Sequence, residues 1–144
     1  MRFTPKKSLG QNFLNDKNII SSIVDIGEIK ENDIIIEVGP GSGVLTEKIL
    51  NKRPKKLTVI EKDEELVKIL KVKFGNKINI VNENMLKTSY EDYLKKDSII
   101  FGNLPYNIST QILAKLIKTN NIDKFCKWLI LMFQKEVADR ITAK

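Results

Sequence analysis

A run of β-branched residues at positions 34–38, Ile-Ile-Ile-Glu-Val, constrains the fold more than any other stretch of this chain. Its nearly continuous apolar character is typical of a strand that is buried on both faces of a sheet. The run leads directly into a glycine turn at residues 39–43 (Gly-Pro-Gly-Ser-Gly) and then into a helical pattern over about 44–51. A strand, a turn and a helix in this order indicate the first unit of a parallel α/β sheet.

Four further apolar runs alternate with helical patterns along the chain. We predict strands at residues 57–60, 78–81, 98–102 and 128–133, with helices over roughly 16–27 and 63–73 and others beginning near 109 and 135. Asn15 or Asp16 is a suitable cap for the first helix. Strands that alternate with helices imply an α/β fold, in which a parallel sheet with right-handed crossovers is flanked by helices. Cys126 and Trp128 are expected to pack in or near the core.

The last predicted strand, residues 128–133, is as apolar as an interior strand. No later stretch of the 144 residues is available to pair with its outer edge. An exposed apolar edge strand promotes aggregation, so proteins usually cover or pair such edges. We therefore expect this chain to be the front part of a longer protein.

Composition excludes several kinds of chemistry. The chain has no histidine and a single cysteine, so a zinc site of the usual ligand types and histidine-based acid–base catalysis are not expected. Neither a secretory signal nor a membrane-spanning run is present, and we expect a cytoplasmic protein. The net charge of +7 favours an anionic partner such as nucleic acid, although a biased genome composition also produces lysine-rich chains.

The segment 103–106, Asn-Leu-Pro-Tyr, follows the predicted fourth strand at the carboxyl end of the sheet, where open α/β sheets bind ligands. Asn103 offers an amide oxygen, and Pro105 biases Leu104 toward an extended backbone that directs the Leu104 carbonyl. Tyr106 provides a flat ring on which a base can stack. Two acceptors and a ring suit a planar group with an exocyclic amine, such as adenine. The alternative is an ordinary strand-to-loop turn.

The glycine turn and two acidic residues favour a nucleoside cofactor. Glycines let a ligand approach the backbone, and the following helix begins with free N–H donors. The spacing G-x-G-x-G differs from the G-x-G-x-x-G of dinucleotide-binding folds, and Glu37 just before it disfavours a pyrophosphate but suits a cationic ligand. Glu61 ends the second predicted strand, where a carboxylate can accept both hydroxyls of a ribose. The alternative is a glycine turn beside a surface glutamate.

The motifs together resemble those of the small-subunit ribosomal RNA adenine N6-dimethyltransferases, which use S-adenosylmethionine. Five stretches carry the resemblance, in the family's order and over the whole chain: 9–14, 37–46, 59–61, 102–110 and 133–140. The large-subunit rRNA adenine methylases share the glycine and Asn-(Leu/Ile)-Pro-Tyr motifs, but residues 134–140 look like the small-subunit branch. The resemblance implies a Rossmann-like methyltransferase fold that lacks its last strands, and a chain without the family's small C-terminal helical domain.

The resemblance also implies roles for individual residues. Asn12 and Leu14 are expected to fold over the methionine part of the cofactor, Glu61 to hold its ribose, and Met85 to pack on its adenine. The family usually has Asp where this chain has Asn84, which keeps an acceptor oxygen but loses the charge. The expected cofactor-binding residues are Asn12, Leu14, Glu37, Gly39, Gly41, Glu61, Asn84, Met85 and Asn103. The expected catalytic residues are Asn103, Leu104, Pro105 and Tyr106.

By the same resemblance, the expected activity is the transfer of methyl groups to two adjacent adenines near the 3′ end of small-subunit rRNA, during ribosome assembly. The protein is expected to act as a monomer without a metal or a membrane, and Lys6 and Lys7 are the best candidates for RNA contacts. Two alternatives remain, a non-catalytic RNA- or DNA-binding assembly factor on the same fold and a DNA adenine methyltransferase. The chain alone is expected to bind cofactor but to methylate ribosomal substrate poorly.

Overall fold

The fold is a five-stranded parallel sheet with helices on both faces, as seen in a computed structural model that describes residues 15–143. The strands lie in the order β3-β2-β1-β4-β5, and every neighbouring pair is parallel. Their bounds are β1 Ile34–Val38, β2 Lys56–Ile60, β3 Asn79–Val81, β4 Ser98–Asn103 and β5 Cys126–Met132. This α/β architecture confirms the fold class that the alternating pattern predicts.

The described helices connect the strands as crossovers or flank the sheet. Their bounds are α1 Lys17–Ile26, α2 Val44–Asn51, α3 Glu64–Phe74, α4 Ser109–Ile117, α5 Ile122–Phe125 and α6 Lys135–Thr142. Asp16 caps α1, because its Oδ1 accepts the N–H groups of Asn18 and Ile19 at 2.9 and 3.3 Å. No helix in this part of the chain is long and apolar enough to cross a membrane.

Two hydrophobic clusters cover the two faces of the sheet. On one face, residues of α1, α2 and α3 pack against inward side chains of β1, β2 and β4. On the other face, the β3–β4 crossover and α4 pack against the alternate side chains of the same strands. Because β1 and β4 are covered on both sides, their runs read as continuously apolar in the sequence.

Strand β5 is an edge strand, and its residues are less buried than its apolar sequence suggests. It lies at one edge of the sheet and pairs with β4. Its residues are half-buried or exposed, whereas those of β4 are buried along almost the whole strand. The expectation that Trp128 packs in the core is wrong, since 49% of its surface is exposed, and Cys126 is half-buried. An apolar run at an edge has only one neighbouring strand, so its apolar residues lack part of the cover that an interior strand receives.

Candidate active site

The candidate site lies along the carboxyl edge of the sheet. Because all five strands are parallel, the segments that follow them meet at this edge. Gly39 follows β1, Glu61 follows β2, Asn84 lies three residues beyond β3, and Asn103 is the last residue of β4. The structure therefore brings together residues that are up to 64 positions apart in the sequence, counted from Gly39 to Asn103.

Gly39 lies in contact distance of two other predicted site residues. Its φ is +71°, and its N–H donates to the Ile60 carbonyl at 3.0 Å. A Cβ atom at this position would lie 3.4 Å from the Asn103 carbonyl oxygen and 3.5 Å from the Met85 sulfur. The absence of a side chain at Gly39 therefore keeps backbone accessible at the point where β1, β4 and the β3–β4 crossover converge.

A Gly39→Ala variant is expected to bind S-adenosylmethionine or its product roughly tenfold more weakly. Its methyl group strains a left-handed backbone and occupies space next to the Met85 sulfur. Gly75→Ala is the matched control, because Gly75 also has a positive φ of +57° but nothing lies within 4 Å of its Cβ position. Titration calorimetry compares both variants with the wild type, and an affinity of Gly39→Ala equal to that of Gly75→Ala would show that the backbone at Gly39 does not contact the cofactor.

The Glu61 carboxylate is fixed beside the glycine turn. Its two oxygens accept the Asp63 N–H at 3.0 Å and the Gly41 N–H at 3.4 Å, and only 4% of the residue is exposed. Burial raises the pKa of Glu61 above its usual value, although these backbone N–H bonds oppose the rise. Asn82 supports the same segment, since its Nδ2 donates to the carbonyls of Glu61 and Lys62 at 2.9 and 3.1 Å.

The loop after β3 is held by hydrogen bonds of its own. Asn84 Oδ1 accepts the Leu86 N–H at 2.9 Å, so the acceptor oxygen of this expected cofactor-binding residue already has a backbone partner. Met85 is buried, and the hydroxyl of the fully buried Tyr90 donates to its carbonyl at 2.7 Å. The buried Tyr90 side chain therefore helps to fix the position of Met85 beside Gly39.

In the segment after β4, the Tyr106 ring is exposed and the apolar residues are buried. Leu104 and Pro105 are buried, Asn103 is half-buried, and Tyr106 has 51% of its surface exposed. A turn follows, in which the Ile108 N–H donates to the Pro105 carbonyl at 3.2 Å, and α4 begins at Ser109. The exposed Tyr106 ring is available for stacking on a planar base.

The Glu37 carboxylate is almost wholly buried beside the glycine turn. Only 1% of its surface is exposed, and its Oε2 accepts the Thr46 hydroxyl at 2.6 Å. Burial raises the pKa of Glu37 to about 7, and the nearby Glu61 carboxylate adds to the rise, while the Thr46 bond opposes it. Glu37 therefore lies at the base of the glycine turn and below the exposed edge.

Four predicted contacts lie outside the described residues: Asn12, Leu14, Lys6 and Lys7. Other residues with a place at the site were not singled out from the sequence. Thr46, Asn82 and Tyr90 each donate a side-chain hydrogen bond to a predicted site residue. The signal for Thr46 is a hydroxyl residue on the apolar face of a short helix, whereas Tyr90 lies in a mainly polar stretch that carries no comparable signal.

Comparison with known proteins identifies the family. The family model described as "Ribosomal RNA adenine dimethylase" matches residues 2–144. This chain belongs to that family. Among curated relatives, the ribosomal RNA small subunit methyltransferase A of Pelagibacter ubique is 50% identical over 139 residues, which are 96% of this chain and 53% of the relative. This chain spans about half the length of the curated relatives it matches.

Two solved structures of transferases share the fold. A dimethyladenosine transferase from Plasmodium falciparum is 32% identical, with a TM-score of 0.75 over 92% of this chain and 47% of that chain. The 23S rRNA methyltransferase ErmE is 26% identical, with a TM-score of 0.78 over 91% of this chain and 51% of that chain. By sequence, the chain therefore belongs to the adenine dimethylase family. The fold of the chain is shared with the 23S rRNA methyltransferase ErmE.

Proposed function

We propose that this chain is the catalytic part of an enzyme that methylates the exocyclic N6 of two adjacent adenines near the 3′ end of small-subunit rRNA. The methyl donor is S-adenosylmethionine, and the enzyme acts as a cytoplasmic monomer during ribosome assembly. The observation that carries the proposal is the convergence of Gly39, Met85 and Asn103 at the carboxyl edge. Membership of the adenine dimethylase family supports the choice of base.

The residues at this edge fit the proposed cofactor. No side chain covers the backbone at Gly39, and the adjacent Met85 provides an apolar surface for a base. The Glu61 carboxylate can accept ribose hydroxyls. The bound cofactor supplies an electrophilic methyl group on a sulfonium centre. Asn84 presents an acceptor that is already bonded to Leu86, so we propose that it shares this oxygen with the cofactor base through its second lone pair.

Asn103, Leu104 and Tyr106 then act on the target adenine. The amine of adenine is a poor nucleophile because its lone pair is delocalised into the ring. We propose that the Asn103 side-chain oxygen and the Leu104 carbonyl accept its two hydrogens, which favours a pyramidal, more nucleophilic nitrogen. Tyr106 stacks on the base after the base has left its RNA stack. The proton released from the amine passes to water, so these residues need only align the reactants.

Titration of the chain with S-adenosylmethionine tests the proposal first. We expect saturable one-to-one binding by calorimetry, because each residue of the proposed cofactor surface belongs to one protomer. A chain that binds rRNA without binding the cofactor would instead be a non-catalytic assembly factor. Single-turnover transfer, with the chain in excess over immature small subunits or duplex DNA, then identifies the substrate. Preferential methylation of the duplex would contradict the rRNA assignment.

A further inference from the structure

A buried hydrogen bond joins the two elements on either side of the glycine turn. Thr46 lies in the first turn of α2, and its hydroxyl donates to the Oε2 atom of Glu37, the fourth residue of β1, at 2.6 Å. Thr46 is fully buried, and Glu37 is 1% exposed. The bond therefore connects β1, which precedes the glycine turn, with α2, which follows it.

Packing alone does not account for a threonine at this position. The other buried residues of α2 are Leu45 and Ile49, which are apolar, and valine has nearly the same shape as threonine. A hydroxyl that donates to a carboxylate forms a charge-assisted bond, which is about twice as strong as a neutral one. The hydroxyl therefore has a specific partner, and that partner is a residue expected at the cofactor site.

We propose that Thr46 is a positioning residue of the cofactor site, whose hydroxyl holds the Glu37 carboxylate at the base of the glycine turn, ready to attract the α-ammonium group of the amino-acid part that S-adenosylmethionine and S-adenosylhomocysteine share. This inference rests on the proposed function and deepens it. Thr46 acts through Glu37 and through the geometry of the turn, and it does not touch the reacting atoms.

The charge of Glu37 gives this role a measurable pH dependence. Burial raises the pKa of Glu37 to about 7, Glu61 raises it further, and the Thr46 bond lowers it. The register neighbours of Glu37 on β2 and β4 are Val59 and Phe101, which do not titrate. A cationic ligand binds the ionised carboxylate, so its affinity rises as the pH increases through about 7. Loss of the Thr46 hydroxyl raises this pKa and moves the rise to higher pH.

The raised pKa of Glu37 also affects the stability of the ligand-free chain, which decreases with pH where cofactor affinity increases. A carboxyl whose pKa is raised on folding favours the folded state while it is protonated. Its contribution is fully present below its unfolded value of 4.5 and is lost as the pH rises through about 7. Cofactor affinity and ligand-free stability therefore change in opposite directions with pH, which separates a role in binding from a role in folding.

The experiment compares the wild-type chain with Thr46→Val and Thr46→Ser, using S-adenosylhomocysteine as the calorimetric probe between about pH 6 and pH 8.5. We expect Thr46→Val to bind roughly fivefold more weakly at neutral pH, as a rise of about one unit in the pKa of Glu37 implies, and its affinity to rise at higher pH than that of the wild type. Thr46→Ser keeps the hydroxyl and is expected to restore the wild-type pH profile.

Thr58→Val is the matched control, because Thr58 is also a buried threonine, in β2, but its hydroxyl accepts a long bond of 3.4 Å from Asn79 Nδ2. We expect this variant to leave the pH profile unchanged. If Thr46→Val does not fold, Glu37→Gln serves instead and must abolish the rise in affinity near pH 7. A wild-type pH profile in Thr46→Val, or in Glu37→Gln where that variant is used, overturns the role of Thr46, whereas no binding by the wild type at any pH overturns the cofactor assignment itself.

Discussion

Asn103→Ala is expected to lower the rate of methyl transfer by roughly 10²–10³-fold, with a much smaller loss of cofactor affinity. Removal of one preorganised group that acts on the reacting atoms typically has an effect of this size. Asn103 ends β4 and is half-buried beside Gly39, so it reaches the site from a rigid strand. Single-turnover transfer to immature small subunits measures the rate, and calorimetry with S-adenosylmethionine measures the affinity.

Two further variants make the Asn103 result interpretable. Asn120→Ala removes the same side chain from an exposed turn beyond α4, at the opposite edge of the sheet, and is expected to leave the rate unchanged. Asn103→Asp keeps an acceptor oxygen and is expected to retain more activity than Asn103→Ala. An unchanged rate of transfer by a folded Asn103→Ala variant would show that Asn103 does not bind the amine of the target adenine.

The central strands and the location of the site follow from the sequence. The run at residues 34–38 predicts the observed bounds of β1, because both faces of an interior strand must be apolar. Parallel strands then place the residues that follow them at a common edge, so the convergence of Gly39 and Asn103 follows from topology alone. The prediction for Trp128 is wrong because an apolar run alone does not distinguish an interior strand from an edge strand.

The supporting hydrogen bonds do not follow from the sequence. Thr46 reaches Glu37 from the first turn of α2, and Tyr90 reaches the Met85 carbonyl from five residues further along the β3–β4 crossover. Such partners depend on side-chain direction and loop path, which residue types and spacing leave open. Asn84 illustrates the same limit, because its residue type predicts an acceptor but not that Leu86 already uses that acceptor.

Glu61→Ala is expected to weaken the binding of S-adenosylhomocysteine by roughly a hundredfold. A carboxylate that accepts two ribose hydroxyls makes two charge-assisted hydrogen bonds, and their loss amounts to about 3 kcal/mol. Glu61 also accepts the N–H groups of Gly41 and Asp63, so its removal leaves both donors without this acceptor. Thermal unfolding of the ligand-free variant is therefore measured beside calorimetry, to separate a loosened turn from a lost ribose contact.

A cofactor analogue isolates the ribose contact from the structural effect. Wild type is expected to bind the 2′-deoxy analogue of S-adenosylhomocysteine more weakly than the parent compound, because one accepted hydroxyl is missing. In Glu61→Ala the two compounds should bind alike, since the acceptor is gone in both cases. Glu83→Ala removes the same charge from an exposed position on this edge and should keep the wild-type preference. If Glu61→Ala still discriminates against the deoxy analogue as strongly as wild type, another group binds the ribose hydroxyl. The role of Glu61 is then confined to accepting the Gly41 N–H and stabilising the turn.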